Sequence, residues 1–228
     1  MFAGRVDVGH ESWTKSGRIC WRGTALDRDG QPVDVADWYG CTETFEAFVE
    51  RTRALSGFYA VVIRTEDAWL LACDHARTIP LYFRMETPVV ITDAAGRIRP
   101  ADGGIDPVAA SEFLLTRYVT SGDTLDPRIK SVRAGEAVKV PRDRQMDVKR
   151  RRYFTHQPTN DHSGNRTTAL KRLRTALNSA IDRAVDFIDG RQVVVPLSGG
   201  LDSRLVAAAL VEAGVDVIAF TFGRPGHG

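Results

Sequence analysis

Cysteine is scarce: 228 residues contain three, Cys20, Cys41 and Cys73. Their spacing fits no metal-binding pattern and an odd number cannot all pair within one chain, so neither a disulfide scaffold nor a thiolate metal centre is expected. They read as small hydrophobes in a reducing compartment. An excess of one charge is also missing, because 31 Lys and Arg stand against 29 Asp and Glu, a formal net charge of +2. A balance this close gives no electrostatic reason for a nucleic-acid or membrane partner. No apolar run approaches the roughly 18 residues of a membrane-spanning helix. The opening Met1-Phe2-Ala3-Gly4-Arg5-Val6-Asp7 puts an acid where a signal peptide would carry its apolar stretch. A soluble, cytoplasmic protein is expected.

What is present is an ordinary globular composition, 43% hydrophobic and 26% charged, which argues against disorder. At about 150 residues per domain the length corresponds to roughly one and a half domains. The first half reads as strands. Arg18 to Leu26 is one, closed by the turn signal Asp27-Arg28-Asp29-Gly30. Thr42 to Leu55 places Phe45, Phe48, Val49 and Leu55 near helical spacing, with Thr42 as the expected cap and Ser56-Gly57 as the break. Phe58–Ile63 and Ala68–Cys73 then form a hairpin around four polar residues, and runs this apolar imply a sheet covered on both faces. A further pair is expected at Pro80–Arg84 and Pro88–Thr92. Asp106 to Tyr118 reads as a helix with Asp106 as cap, Pro107 at its first position and Val108, Phe113 and Leu114 as its apolar face. Ile129 to Val140 reads as another strand pair.

Basic residues crowd toward Lys149-Arg150-Arg151-Arg152. No aromatic platform interleaves them, so a solvated edge strand or linker is expected in preference to a nucleic-acid patch. Thr155 to Thr168 lacks apolar periodicity and reads as a linker, placing the domain boundary at 155/156. His156 and His162 within it have no partners at ligand spacing, so no metal site is expected there. Beyond it, Leu170, Leu173, Leu177, Ile181, Val185 and Ile188 recur every three or four residues, an amphipathic helix closed by Gly190. Val193–Val195, Leu205–Ala213 and Val215–Phe222 complete a strand, helix and buried strand, a βαβ unit with a parallel crossover.

The turn inside that unit carries the chemistry: Pro196-Leu197-Ser198-Gly199-Gly200-Leu201-Asp202-Ser203-Arg204. Adjacent glycines let a ligand approach the backbone, and successive N–H groups there can make an anion-binding nest. The following helix points its N-terminus at the same place. Ser198 and Ser203 add hydroxyl donors, and Asp202 suits Mg²⁺ or a capping role. The turn is neither a Walker loop, which would need a Gly-Lys-Ser/Thr ending, nor a G-x-G-x-x-G dinucleotide turn. The S-G-G-x-D-S run resembles the pyrophosphate-binding loop of the PP-loop ATP-pyrophosphatases, specifically the synthetase domain of class B asparagine synthetases. Ala219 to Gly226 looks like the second strand of that domain. Ser56–Ala60, Ala72–His75, Pro80–Phe83, Gly122–Thr124, Ile129–Glu136 and Arg152–Phe154 resemble segments of the class II glutamine amidotransferase domain that precedes it in the family.

The resemblance implies an α/β architecture: an Ntn-hydrolase-like α/β-sheet sandwich over residues 1–155, then over 156–228 the first βαβ part of a parallel, doubly wound PP-loop domain. In the family the first domain hydrolyses glutamine with an N-terminal cysteine. Phe2 stands there in this sequence, and a phenyl ring cannot replace a thiolate nucleophile, so no catalytic residue is identifiable and the domain is expected to serve as scaffold. The second domain implies ATP and Mg²⁺, with pyrophosphate on Ser198, Gly199, Gly200, Asp202 and Ser203 and adenine between Leu197 and Phe222. A small-molecule carboxylate would attack the α-phosphorus to give an acyl-adenylate, and an amine or ammonia would displace AMP. Free ammonia gives an amide such as asparagine. An amine on the same substrate gives a lactam, as in the β-lactam synthetases, which also lack the cysteine. A non-catalytic amidotransferase-like scaffold is the third alternative. Arg204, where the family commonly has a small residue, points to a divergent branch. The chain ends directly after the second strand, so it is expected to be an N-terminal fragment that does not complete the reaction alone. Its apolar strand edges should be exposed and favour association between copies.

Overall fold

A computed structural model of the chain describes residues 4–6, 13–86, 88–143, 146–157, 165–221 and 223. The chain divides into two compact units, Met1–Gln157 and Pro158–Gly228. The first contains strands β1 (Gly4–Val6), β2 (Thr14–Ser16), β3 (Ile19–Leu26), β4 (Ser56–Arg64), β5 (Ala68–Cys73), β6 (Tyr82–Arg84), β7 (Val89–Thr92), β8 (Ile129–Ser131), β9 (Glu136–Pro141) and β10 (Lys149–Arg152). Its helices are α1 (Val35–Tyr39), α2 (Phe45–Arg53) and α3 (Pro107–Thr116), with a 3-10 turn at Ala95–Ile98. The second contains α4 (Arg166–Ile188), β11 (Val193–Pro196), α5 (Leu201–Glu212) and β12 (Val217–Phe220). Among the described residues no helix is long and apolar enough to cross a membrane.

The first unit is a mixed α/β sandwich. One sheet has six antiparallel strands in the order β10-β9-β5-β4-β3-β2, and the other has four in the order β1-β7-β6-β8. Successive strand residues face opposite sides, and the apolar hairpin β4–β5 feeds two cores at once. Tyr59, Val61, Ile63, Leu70 and Ala72 pack with Val35, Tyr39, Phe48 and Val49 of α1 and α2. Ala60, Val62, Trp69, Leu71 and Cys73 pack instead with Phe83, Val89 and Ile91 of the second sheet. The expected double cover is therefore present, with helices on one face and a sheet on the other.

Several local expectations are corrected. Thr44, not Thr42, caps α2, its hydroxyl accepting from the Ala47 N–H at 3.1 Å. Thr42 is buried, and its carbonyl accepts from Arg18 at 2.7 Å, which keeps it in the preceding turn. Ser56-Gly57 opens β4 rather than merely ending α2. Gly57 has φ +108°, and a Cβ there would lie 2.4 Å from the Thr24 carbonyl on β3. The short helix α1, capped by Asp34 onto the Asp37 N–H, is too brief to show a helical period. Helix α3 begins as expected with Asp106 accepting from Val108 and Ala109, but Val108, Phe113 and Leu114 are exposed and only Ala109 is buried. At about 100° per residue, Phe113 and Leu114 fall roughly 140° and 240° around the helix from Val108, so the three never shared one stripe.

Residues 129–140 do form two strands, but they do not pair with each other. β8 joins β6 in the smaller sheet, whereas β9 lies between β5 and β10 in the larger one. The chain crosses between layers here, and Glu136 stands at the crossing with its side chain fully buried. Its carboxylate accepts from Arg133 Nη2 at 2.6 Å and from Arg150 Nη1 at 2.9 Å, and also from the Arg133 backbone N–H. The basic run at 149–152 is thus an edge strand, as expected, yet Arg150 turns inward to hold a buried carboxylate. A second link joins the layers where Asp93, after β7, accepts from Trp13 Nε1 at 2.9 Å and Arg22 Nη1 at 3.2 Å.

The second unit pairs β11 with β12 in parallel, with α5 between them in sequence. Val195 is 7% exposed, but Val194, Ile218 and Phe220 on the opposite face are 57%, 46% and 45% exposed. Composition suggested strands buried throughout; one face only is covered. Helix α4 spans the expected stripe, with Leu170 and Leu173 exposed and Leu177, Ile181, Val185 and Ile188 half-buried. Its left-handed cap is Asp189 at φ +48°, one residue before Gly190.

Replacing Glu136 by Ala should lower stability by about 3 kcal/mol. Breaking a buried ion pair typically costs about 3–5 kcal/mol, and both guanidiniums here keep some water contact that places the loss at the lower end. Urea unfolding should show a lower midpoint at unchanged slope.

Candidate functional site

Strand β11 delivers the chain to the glycine-rich turn. The Leu197 N–H donates to the Phe220 carbonyl at 2.7 Å, extending the parallel pairing by one residue before the chain leaves the sheet. Two serines then brace the turn. The Ser198 N–H donates to Ser203 Oγ at 3.0 Å, the two hydroxyls lie 3.0 Å apart, and the Gly200 N–H donates to Ser198 Oγ at 3.2 Å. One hydroxyl proton joins the pair, so the other remains to donate outward. Gly200 is the N-cap of α5, in extended conformation and with no side-chain cap. The start of α5 therefore keeps its dipole and donors open to an external group.

Gly199 is the informative position. Its φ is not in the left-handed region, and a Cβ there would meet no atom within 4 Å. Among the described residues, neither backbone strain nor packing requires glycine there. Ser198, Gly199, Gly200, Leu201 and Asp202 are exposed, while Leu197 and Ser203 are half-buried. Five of the seven site residues expected from the sequence, Ser198, Gly199, Gly200, Asp202 and Ser203, lie in one turn and the first turn of α5. Leu197 sits at its base, and Phe222 lies outside the described residues, as does Phe2.

In the sequence, Arg204 stands out only as a departure from a pattern. In the structure its guanidinium folds back over the turn, Nε donating to the Gly200 carbonyl at 3.0 Å and Nη2 to that of Gly199 at 3.2 Å. Spacing alone could have suggested this, since residues four apart face one another on a helix. Among the described residues no group of three or more His, Cys, Asp or Glu could hold a metal ion. Asp202 alone offers a carboxylate at the turn, a donor set of the kind with which Mg²⁺ binds jointly to protein and phosphates.

In the first unit the segment after β5 is a tight turn around Asp74. This buried carboxylate accepts from the N–H groups of Tyr59, Ala76 and Thr78 and from the Thr78 hydroxyl. The Tyr153 hydroxyl donates to the Cys73 carbonyl, and His75 stacks on Phe154 with ring centroids 3.9 Å apart. Burial pushes the Cys73 thiol up to about 12 and raises that of Cys20. Neither supplies a thiolate at neutral pH. Cys41 is exposed.

No family model and no curated protein matches the chain. Among solved structures it is similar to the glutamine phosphoribosylpyrophosphate amidotransferase of B. subtilis complexed with ADP and GMP, at TM-score 0.34 and 12% identity, covering 93% of this chain and 48% of that one. It is also similar to a structure described as the allosteric regulatory enzyme of purine biosynthesis, at TM-score 0.31 and 14% identity, covering 92% and 46%. The chain spans about half the length of these solved chains.

Two solution measurements follow, one from the differing burial of the three thiols and one from the Asp74 turn. With Ellman's reagent at pH 8, Cys41 should react in the native protein, half-buried Cys20 more slowly, and Cys73 only after denaturation. Burial also pushes His75 below its ordinary value of 6.5, against an opposing pull from Asp74. The folded state then holds fewer protons than the unfolded chain just below pH 6.5, so stability is lost as the pH falls from there through the folded-state value. His75→Phe, which keeps the stack, should flatten the dependence of Tm on pH in that window.

Proposed function

We propose that the chain belongs to an ATP-dependent ligase that activates a small-molecule carboxylate and joins it to an amine or ammonia. The second unit would bind the nucleotide: Ser198, Gly199, Gly200, Asp202 and Ser203 would take the pyrophosphate, with Leu197 and Phe222 beside the adenine. Asp202 would hold Mg²⁺, which neutralises the charge gathering on departing pyrophosphate. The first unit would be a glutamine amidotransferase-like scaffold. The observation that carries this reading is Gly199, whose lack of a side chain answers no contact among the described residues but leaves room for a group from outside to meet the turn. The open N-terminus of α5 and the outward hydroxyl proton of the serine pair support a phosphate in that place.

Among the described residues the two thiols in the first unit's cores are held as thiols by burial. The amine would come from solution, from glutamine or from the same substrate, and the last keeps the lactam-forming alternative beside the asparagine-synthase-like one. The protein's partners would be small molecules, with no nucleic acid and no membrane, and the exposed apolar face of β11 and β12 favours pairing between copies.

Calorimetric titration of the chain with Mg·ATP and with Mg·pyrophosphate tests the nucleotide site. Saturable binding is expected, and Gly199→Val should weaken it at least tenfold, about 1.4 kcal/mol. That side chain would enter open space and leave the fold intact, so equal binding by the variant, or no binding by the parent chain, would sink the proposal.

A further inference from the structure

A cavity of about 420 Å³ opens in the first unit between the turn after β5, the 3-10 turn, α3 and β8. It shares no residue with the glycine-rich turn of the second unit. Volumes of roughly 300–1,000 Å³ are typical of small-molecule sites, usually with mostly apolar walls and a few placed polar groups. The walls here are Tyr82, Ile105, Phe113, Tyr118 and Leu125. Phe113, Ile105 and Tyr118 are large apolar side chains left exposed on the described surface. This explains a feature the sequence pattern could not: the apolar residues of α3 do not build the core, and Phe113 faces the cavity instead.

Charge decides what the cavity suits. Two carboxylates line it, and both are already paired: Asp123 with Lys130 Nζ at 2.7 Å and Asp126 with Arg128 Nε at 3.3 Å. Burial pushes the Asp126 carboxyl up, but the hydrogen bonds from Arg128 together outweigh that and hold it below its ordinary range. Two guanidiniums also line the cavity, Arg77 and Arg99, and among the described residues neither makes a hydrogen bond from its side chain or an ion pair. Arg99 is exposed, with Asp126 near enough to feel its charge. Arg77 is more constrained. Its backbone lies at φ +58°, a left-handed conformation uncommon outside glycine, Asn and Asp. Its guanidinium sits 5.1 Å from the centre of the Tyr82 ring, and its Nε is buried with no partner. A buried donor without an acceptor is costly, and backbone strain of this kind concentrates at binding sites.

We infer that this cavity is a binding site for a small organic anion: a carboxylate or phosphate monoester on an aromatic or branched apolar body, with its head on Arg77 and Arg99 and its body against Tyr82, Phe113 and Leu125. Planar guanidiniums suit both head groups, since each can present two parallel donors.

The test is calorimetric titration of the whole chain with 3-phenylpropionate, phenyl phosphate and the uncharged 3-phenylpropionamide. At least one of the two anions should bind saturably and at least tenfold more tightly than the amide. Which anion binds separates the carboxylate source from the phosphate source. Arg77→Gln and Arg99→Gln should each weaken anion binding fivefold or more and leave the amide unaffected. Arg99 is exposed, so its variant folds even if the turn at Arg77 does not tolerate change. Absence of saturable anion binding, equal binding of amide and anion, or full affinity in folded Arg99→Gln would each overturn the inference. Binding of Mg·ATP at the second unit is measured separately and is expected to be unchanged in both variants.

Discussion

Everything in the first unit is arranged around one hairpin with no solvent face. Between Tyr59 and Ile63 on β4, and throughout Ala68–Cys73 on β5, every residue is buried. A strand sends alternate side chains to opposite sides, so such a hairpin must be covered twice or not be stable at all. Fully burying each large apolar side chain is worth about 1.5–3 kcal/mol, and the chain collects this by placing α1 and α2 on one face and a second sheet on the other. The order of elements follows. Helices α1 and α2 come between β3 and β4, three of the second sheet's four strands come after β5, and the chain returns through β8 and β9 to complete the larger sheet. Glu136 sits at that return, where a carboxylate could be buried only because Arg133, Arg150 and a backbone N–H surround it.

The second unit obeys the opposite logic. Two short parallel strands and two helices cannot enclose much apolar area, and α5 leaves Val194, Ile218 and Phe220 exposed. Its best-defined feature is local: the six residues from Ser198 to Ser203 close a turn through three hydrogen bonds. Such a turn needs little from the surrounding core, which is why a motif can keep its form on a unit with so little buried surface.

What the sequence made legible divides along the same line. Strands β4 and β5 announced themselves by unbroken apolar runs, β3 by the Asp-Gly turn signal that follows it, Asp106-Pro107 by capping chemistry, and the glycine-rich turn by residues adjacent in the chain. What escaped needed distant partners. Nothing in Ile129–Val140 says that its two strands belong to different sheets, because that depends on which neighbours β5 and β6 still lack. Nothing near Thr42 says that Arg18 will claim its carbonyl and shift the cap to Thr44. The cavity beside Arg77 is lined from elements spread between the turn after β5 and β8, and its only sequence trace is a helix α3 whose apolar residues do not form a stripe. Arg204 lay within reach, four residues from Gly200, yet its contact is with backbone, which no residue pattern spells out.

Arg204 also bears on what the turn is built for. A helix N-terminus carries roughly half a positive charge, so a cation brought there is normally unfavourable by about 0.3–1 kcal/mol. Here the guanidinium is folded toward that end and fixed on the carbonyls of Gly199 and Gly200. Asp202 in the first turn offsets part of the repulsion, but it is exposed and single. Sequences that specify one structure rarely violate such a local rule without a functional cause. An anion seated at the turn would remove the conflict at once, meeting the dipole, the guanidinium and the outward hydroxyl proton together. The same excess of positive charge would be idle in a plain helix entry, where Ser198 and Ser203 alone already close the turn. The divergence at Arg204 therefore strengthens the case for a polyanion on this turn, through the electrostatics of this chain rather than through any likeness to another.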